Sequence, residues 1–534
     1  MRSVPVLIVG GGPVGLAASF LLSRRGIASL LVERHPGTAI HPKARGINVR
    51  TMEIFRQQGV EDAVRKAGLP PERTGLIVWA RSLAGEEIER RTPWRGRAEA
   101  AEISPVRACL CAQDYLEPVL RAYAERQAGA ELRFNSELVS FEQDGVAVRA
   151  TLLDGTTGRE EQFSAQYMIA ADGAQSGVRQ ALGMTMLGQK DVYDSVNMLI
   201  EADLRPWTAH RPAALYFIEN PELRGTFLTI NAHDRWGFLV NSLKSQGFKP
   251  EDFTPDLALR LVRLDAGVPD LPVKVIGIAP WVASAHVAAR YAVERVFLAG
   301  DAAHEMPPTG GFGMNTGVQD VHNLCWKLAL ALQGRAGASL LATYHDERQP
   351  VGRAITEQSL VNAISMGRLQ QTRQAAGARP EYLNEIGMIF GATYASRAVV
   401  PDGSPPAAVV NPVTDYRPNA RPGGRAPHAW LQRPDGNRIS TIDLVGNDFV
   451  LFAGSMGTAW VEAAMKAGVP VKAMQIGRNG LADVDGRWHD IYGVEPTGAV
   501  LVRPDGYVGW RSVSQAADPA ATLASTFHSI LGQP

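Results

Sequence analysis

One glycine spacing limits this chain more than any other feature. Gly10, Gly12 and Gly15 sit in VLIVGGGPVGLAASFLLSRRG, directly after the apolar, β-branched run Val6–Val9. A buried parallel strand has that composition. Gly10 permits the tight turn, Gly12 lets the backbone approach a pyrophosphate, and Gly15 lets the helix that begins near Pro13 pack closely on the strand. Ala17 and Ala18 keep that contact thin. The helix start would face the phosphates with N–H groups and a positive dipole end. After Gly26 a second strand, SLLVE, ends in Glu33, whose carboxylate suits the adenosine ribose hydroxyls. Arg34 follows it and is counted with the cofactor-binding residues. Strand, glycines, helix and acid together specify a dinucleotide; a glycine-rich turn and an exposed glutamate would explain only part of the pattern.

A second segment narrows the dinucleotide to FAD. RVFLAGDAAHEMPPTGGFGMNTG places Gly300 and Asp301 at the end of another apolar run. Asp301 is positioned to accept from a ribityl hydroxyl. Pro307, Pro308, Gly310, Gly311 and Gly313 form a loop whose backbone can press on a flat ring. The helix starting near Met314 and Asn315 would aim its positive end at the pyrimidine edge, where charge collects on reduction. A third stretch, YMIAADGAQSGVRQALG, sets Asp172 and Gly173 at a strand end, with Arg179 shortly after.

Composition sets limits. The 54 basic and 54 acidic residues cancel, so nothing points to nucleic acid or an anionic membrane. Cys109, Cys111 and Cys325 suggest neither a metal cluster nor a disulfide framework, which reads as a reducing, cytoplasmic setting. The first residues run straight into a strand, so no signal peptide is expected. No apolar stretch is long enough to span a bilayer.

The expected class is α/β: a Rossmann-like FAD-binding domain, an inserted antiparallel-sheet substrate domain and a C-terminal unit. Residues 1–182 read as the first part of the cofactor domain, with helices around Thr51 to Gln58 and from Gln113 onward. Residues 183–285 read as the middle sheet, carrying SVNMLIEADL, AALYFIEN, GTFLTIN and RWGFLVNSL. Residues 286–400 return to the cofactor domain, with helices to about Tyr394. Residues 401–425, rich in Pro and Gly, read as a linker. Residues 426–534 follow the order of a thioredoxin-like domain, ending in a hairpin turned at Asp505 and Gly506. No cysteine follows Cys325, so the domain lacks a CxxC pair and reads as structural or oligomeric.

GDAAHEMPPTGGFGMNTG, the Asp172–Gly173 pair and CAQDYLEPVL with Gln113 resemble the FAD-dependent aromatic hydroxylases of the para-hydroxybenzoate hydroxylase fold. The similarity is greatest to the subgroup acting on aromatic polyketides, which carries a redox-inactive thioredoxin-like domain. The resemblance implies that Gln113 helps hold FAD, and that Asp172 and Gly173 serve both FAD and a visiting NADPH or NADH. It places Arg45 and Gly46 beside the mobile flavin ring. It implies non-covalent FAD, transient reduction, and attack by an activated ring on a flavin C4a-hydroperoxide in a dry pocket. The partners are then a small aromatic substrate and O2, in a monomer or homo-oligomer, with neither nucleic acid nor membrane. Arg45, Tyr216 and Pro308 are the expected catalytic residues, with Tyr394 and Arg397 as further candidates for a substrate oxygen and His304 as catalytic or local structure. A Baeyer–Villiger oxygenase on the same fold and a non-catalytic FAD-binding accessory protein remain the alternatives.

Overall fold

The computed structural model describes residues 1–73, 75–92, 100–366, 384–469, 471–477 and 481–532. The opening βαβ unit forms as its residues dictate. Arg2–Val9 pairs in parallel with Ser29–Glu33 on one side and with Glu160–Ala170 on the other. Val296–Leu298 and Ala130–Phe134 extend the same parallel layer outward. The helix Pro13–Ser23 starts with proline in its first turn, where the missing N–H costs nothing. Gly10 adopts φ +109°, and a Cβ there would lie 2.2 Å from the Ala171 carbonyl oxygen. At Gly15 it would lie 1.9 Å from the Gly10 oxygen, so the helix can approach the strand only without side chains.

The middle layer is an eight-stranded sheet. Its centre runs Lys274–Ala288, Met186–Glu201, Arg235–Asn241, Gly225–Thr229, Ala213–Ile218, all antiparallel neighbours. The expected boundary at residue 183 needs correction. Leu76–Ala80 and Glu87–Arg91, from the first segment, complete one edge, Leu76–Ala80 pairing in parallel with Ala213–Ile218. One face of the sheet packs on the helix Pro255–Ala266 through Val196, Met198, Tyr216, Trp236 and Phe238. Period-two alternation sends the intervening residues to the other face, toward the cofactor layer.

The expected later helices are Gly313–Leu332 and Ala338–Ser365, with a short one at Ile386–Phe390; residues 367–383, expected to be helical, lie outside the described residues. Beyond them stands a four-stranded sheet in the order Val471–Gln475, Phe449–Ala453, Ala499–Val502, Val508–Ser512. Its first pair is parallel and the others antiparallel, as in a thioredoxin-like unit.

Residues 401–425 are not a free tether. Ala420 and Arg425 are buried, and the Gly423 N–H donates to the Val508 carbonyl (2.8 Å). Trp326, Leu330 and Leu340 from the two long helices share one core with Phe449, Leu451, Trp460 and Phe527. A buried charge network crosses the same seam. Arg503 donates to both oxygens of Glu347 (2.7 and 2.8 Å) and to Asp505 Oδ2 (2.5 Å). Lys327 Nζ donates to Glu347 (2.8 Å), and Asn323 and the Trp326 indole donate to Asp505. Burial pushes the Glu347 carboxyl up, but Arg503 and Lys327 outweigh it and hold it well below the usual range. Arg425 pairs with buried Glu53, which also binds Arg50, and Arg50 donates to the Asp505 carbonyl (2.6 Å).

Removing one member of a buried ion network leaves the others uncompensated, at about 3–5 kcal/mol. Arg503→Ala should therefore lower the unfolding free energy by an amount of that order, read as a lower denaturant midpoint at unchanged slope. Deleting residues 419 onward should abolish soluble protein instead of leaving an intact cofactor domain, as soluble yield and circular dichroism would report.

Candidate functional site

The three sequence motifs converge on one cavity of about 2500 Å³ between the cofactor layer and the middle sheet. A pocket for a single drug-sized ligand is typically about 300–1000 Å³, so this one has room for more than one molecule. At one end lie Gly10, Gly12, Pro13, Glu33 and Arg34. The helix Pro13–Ser23 opens onto it with Gly12 at its N-cap and no capping side chain, leaving its first N–H groups to a ligand. Glu33 Oε2 accepts from the Gly11 N–H (2.7 Å) and Oε1 from the His35 N–H (2.9 Å), which fixes the carboxylate at the strand end. Asp172 and Gly173 lie at the floor. Asp172 Oδ2 accepts from the Val178 N–H (3.2 Å), whereas its buried Oδ1 has no partner in the protein. Around Gly173 and Gly311, at φ +84° and +68°, no protein atom lies within 4 Å of where a Cβ would stand. An orphaned carboxylate oxygen, an uncapped helix start and open glycine faces fit a dinucleotide.

The middle of the cavity is lined by Gly46, Gln113, Asp301, Pro308, Gly313 and Met314. Asp301 is open to the cavity but deep within the protein, and burial raises its carboxyl above the usual carboxylate range. Gln113 Oε1 accepts from the Ala44 N–H (3.1 Å) and its amide donates to Glu117 (2.6 Å), tying the 39–48 loop to the helix Gln113–Glu125. Arg45 also lines the cavity, and its Nη1 donates to the carbonyls of Ala214 (2.9 Å) and Thr229 (3.0 Å) in the middle sheet.

Several expected residues stand behind the wall. Gly15 and Gly300 serve backbone packing, Gly300 lying 3.0 Å from Val14 Cγ2 at its would-be Cβ. Asn315 is buried; its amide donates to the Gly46 carbonyl (2.9 Å) and its Oδ1 accepts from the Asn48 N–H (2.9 Å), so it positions the loop. Tyr216 requires a correction. It points to the helix-packed face of the sheet, is 1 % exposed, and its hydroxyl donates to the Arg211 carbonyl (2.9 Å) while accepting from the Ala213 N–H (3.0 Å). Burial pushes its pKa up to about 12. Its neighbours Leu215 and Phe217 face the cavity instead, the outcome of a one-residue error in strand phase. Arg397 is exposed and outside the cavity lining.

Tyr394 and His304 belong to a buried relay that sequence reasoning missed. Asp320, fully buried, receives His304 Nε2 (2.7 Å), Arg348 Nε (2.8 Å) and the Gly300 N–H (3.2 Å). Burial pushes the Asp320 carboxyl up, but His304 and Arg348 hold it below the usual range. Arg348 also donates to the Thr316 carbonyl (3.2 Å) and to the Tyr394 hydroxyl (3.0 Å), and Tyr394 stacks on Tyr507 with centroids 4.0 Å apart. Tyr507 is in the C-terminal unit, so that unit reaches the Gly300–Asp301 turn through three side chains. The available signal was slight: Asp320 and Lys327 stand among apolar residues of Gly313–Leu332, whereas Glu347 and Arg348 lie in the polar run His345–Gln349 of Ala338–Ser365. The three cysteines are buried and unpaired, their pKa values raised by burial to about 11–12.

Residues 3–359 match the FAD binding domain family, and residues 419–534 the aromatic-ring hydroxylase C-terminal family. The chain belongs to the FAD-dependent aromatic-ring hydroxylases. It is 40% identical over 542 residues to the 4-methyl-5-nitrocatechol 5-monooxygenase of a Burkholderia species, covering 99% of this chain and 97% of that one. It is 39% identical over 558 residues to the tetracenomycin B2 monooxygenase-dioxygenase of Streptomyces olivaceus, covering 99% of each. The crystal structure of the flavin-dependent monooxygenase PieE with FAD and substrate superposes with a TM-score of 0.93 at 37% identity, covering 100% of this chain and 99% of PieE. This hydroxylase uses FAD, with NAD(P)H as the family's reductant, in an α/β framework with a thioredoxin-like C-terminal domain. Among the described residues no helix is long and apolar enough to cross a membrane.

Tyr216→Phe removes both hydrogen bonds of a buried hydroxyl and strands two backbone groups, costing about 1–3 kcal/mol. The variant should melt at a lower temperature while keeping wild-type turnover per folded, flavin-loaded molecule; a large fall in turnover would return Tyr216 to the active site.

Proposed function

We propose that this hydroxylase inserts one oxygen atom into a fused-ring phenolic or quinonoid substrate of the aromatic polyketide kind. The observation that carries the reading is the wall opposite the FAD motifs. Leu215, Phe217, Leu228, Leu239 and Trp281, on four strands of the middle sheet, all face the cavity. The five strands from Ala213–Ile218 to Lys274–Ala288, at about 4.8 Å spacing, make a wall roughly 19 Å across, far wider than one benzene ring. The two named relatives act on a single-ring nitrocatechol and on a compound named for the four-ring tetracene frame; the breadth of this wall favours the second kind.

Bound FAD, once reduced by NAD(P)H, supplies the activation of O2. The chain's own residues bind, orient and exclude water. Glu33 takes the adenosine ribose, with Arg34 at the rim, and Gly10, Gly12 and Pro13 present the helix start to the pyrophosphate. Gln113 and Asp172 hold the linking portion, with Gly173 giving backbone clearance, and Asp301 accepts from a ribityl hydroxyl. Pro308, Gly311, Gly313 and Met314 would give the flavin ring a backbone platform at the start of Gly313–Leu332, where the positive end of the helix dipole would favour negative charge. Arg45 is the tether between the ring-side loop and the substrate sheet. The apolar wall keeps water from the reacting oxygen and holds the substrate ring in place.

The test is NAD(P)H oxidation under 18O2 with fused-ring phenols. Substrate-stimulated oxidation with label on a ring carbon supports hydroxylation; label in an ester oxygen would mean Baeyer–Villiger chemistry, and no stimulation by any aromatic an accessory role.

Asp301→Ala should weaken FAD binding about ten- to a hundredfold, the value of a hydrogen bond to a charged group of about 1.5–3 kcal/mol. Because burial raises the Asp301 pKa, acidification protonates it earlier than an ordinary carboxyl. Wild-type FAD affinity should therefore fall as pH drops through that raised pKa, while Asp301→Asn stays flat, as flavin fluorescence titration would show. Arg45→Ala should retain FAD but release more hydrogen peroxide per NAD(P)H consumed; wild-type coupling would make Arg45 a purely structural tether.

A further inference from the structure

The substrate-facing side of the middle sheet is apolar except at a few positions, and two of these are unsatisfied. Asn241 is 3 % exposed and lines the cavity; its Oδ1 accepts from Ser195 Oγ (2.9 Å), but its Nδ2 has no partner. Asn197, on the adjacent strand and also in the lining, donates Nδ2 to the Pro42 carbonyl at a long 3.3 Å, and its buried Oδ1 has no partner. The wall beside Asn197 is kept thin by Gly237, where a Cβ would lie 3.6 Å from Asn197 Oδ1 and 3.3 Å from Leu228 Cβ.

Register fixes the relation of the two amides. Ser195 is opposite Asn241 and Asn197 is opposite Leu239, so the asparagines are diagonal neighbours on one face. Such positions are roughly 7 Å apart. Buried polar atoms are nearly always paired, and leaving them unpaired costs stability. Two orphans of opposite character, one acceptor and one donor, at the same cavity wall have the arrangement of a recognition pair whose partner is the ligand.

We propose that Asn197 and Asn241 are specificity-determining residues that together read two oxygen substituents, one donating and one accepting, on different rings of a fused aromatic substrate. The inference rests on the reading of the cavity as a hydroxylase substrate chamber. Adjacent hydroxyls of a single ring lie much closer together than the two positions and could meet both amides only from midway between them. A hydroxyl and a quinone carbonyl separated across a fused frame span the gap while the rings lie on Leu228, Leu239 and Trp281.

The holoenzyme is titrated with 1,5-dihydroxyanthraquinone and with 4-nitrocatechol, following perturbation of the flavin absorbance. Asn197→Leu and Asn241→Leu should each raise the dissociation constant for the anthraquinone on the order of tenfold, leave that for the catechol within a factor of two, and keep wild-type FAD content. Asn197→Ser and Asn241→Ser provide the same comparison should a leucine variant fail to fold. Equal losses for both probes, no change for either, or no anthraquinone binding by the wild type would overturn the asparagine assignment. That result is separable from failure of the hydroxylase reading itself, which would be an absence of aromatic-stimulated NAD(P)H oxidation in the wild type and would remove both.

Discussion

A single carboxylate without access to water, Asp320, fixes the geometry on which the cofactor half of this molecule depends. It sits two turns into the helix whose first residues face the cavity, and it holds the N–H of Gly300 at the end of a sheet strand. The strand end and the helix start thus become one rigid piece, with Asp301 and the Pro308–Gly313 loop between them. An isolated buried carboxylate would protonate and lose its grip; His304 and Arg348 keep it ionised. Arg348 in turn needs Tyr394, and Tyr394 lies on Tyr507. The Gly300–Asp301 turn is therefore tied to the C-terminal unit by charge and stacking in a low-dielectric interior, where such contacts are strongest.

That chain of contacts gives the thioredoxin-like domain a physical role without dithiol chemistry. Its hairpin turn, Asp505 and Gly506, has the residues of a solvent-exposed turn, yet it is driven into the seam between the two long helices. Gly506 at φ +80° closes the turn, and Asp505 receives Arg503, Asn323 and Trp326. The domain caps helices that would otherwise expose Trp326 and Leu330. It acts as a structural wall of the flavoprotein.

The cofactor half was legible in the sequence because its constraints are local. Gly15 is needed by the approach of the Gly10 carbonyl within one βαβ unit, and Gly10 by its positive φ at the strand end beside the Ala171 carbonyl, and each leaves a mark at a fixed spacing. The C-terminal unit was legible for the same reason, as strand–helix order and a two-residue turn. What escaped were properties that arise only when distant segments meet. Tyr216 was placed on the wrong face because a strand's phase is set by its neighbours, and Leu76–Ala80, far earlier in the chain, is one of them. Arg425 reads as part of a loose proline-rich tether until Glu53 is seen beneath it. Asp320, Glu347 and Arg348 look like the solvated side of helices, and only the packing of the two helices against each other and the last sheet buries them.

The attachment of Arg45 to the substrate sheet uses the carbonyl oxygens of Ala214 and Thr229, and neither contact involves a side chain of the sheet. Every amino acid offers the same carbonyl. The leucine and aromatic positions of the cavity-facing side can therefore be exchanged one by one while the two Arg45 contacts to the sheet survive each change. A specificity surface whose anchor to Arg45 is backbone can drift toward new aromatic frames at its leucine and aromatic positions, while Asn197 and Arg235, whose side chains reach the 39–48 loop, are the positions where drift would disturb the loop.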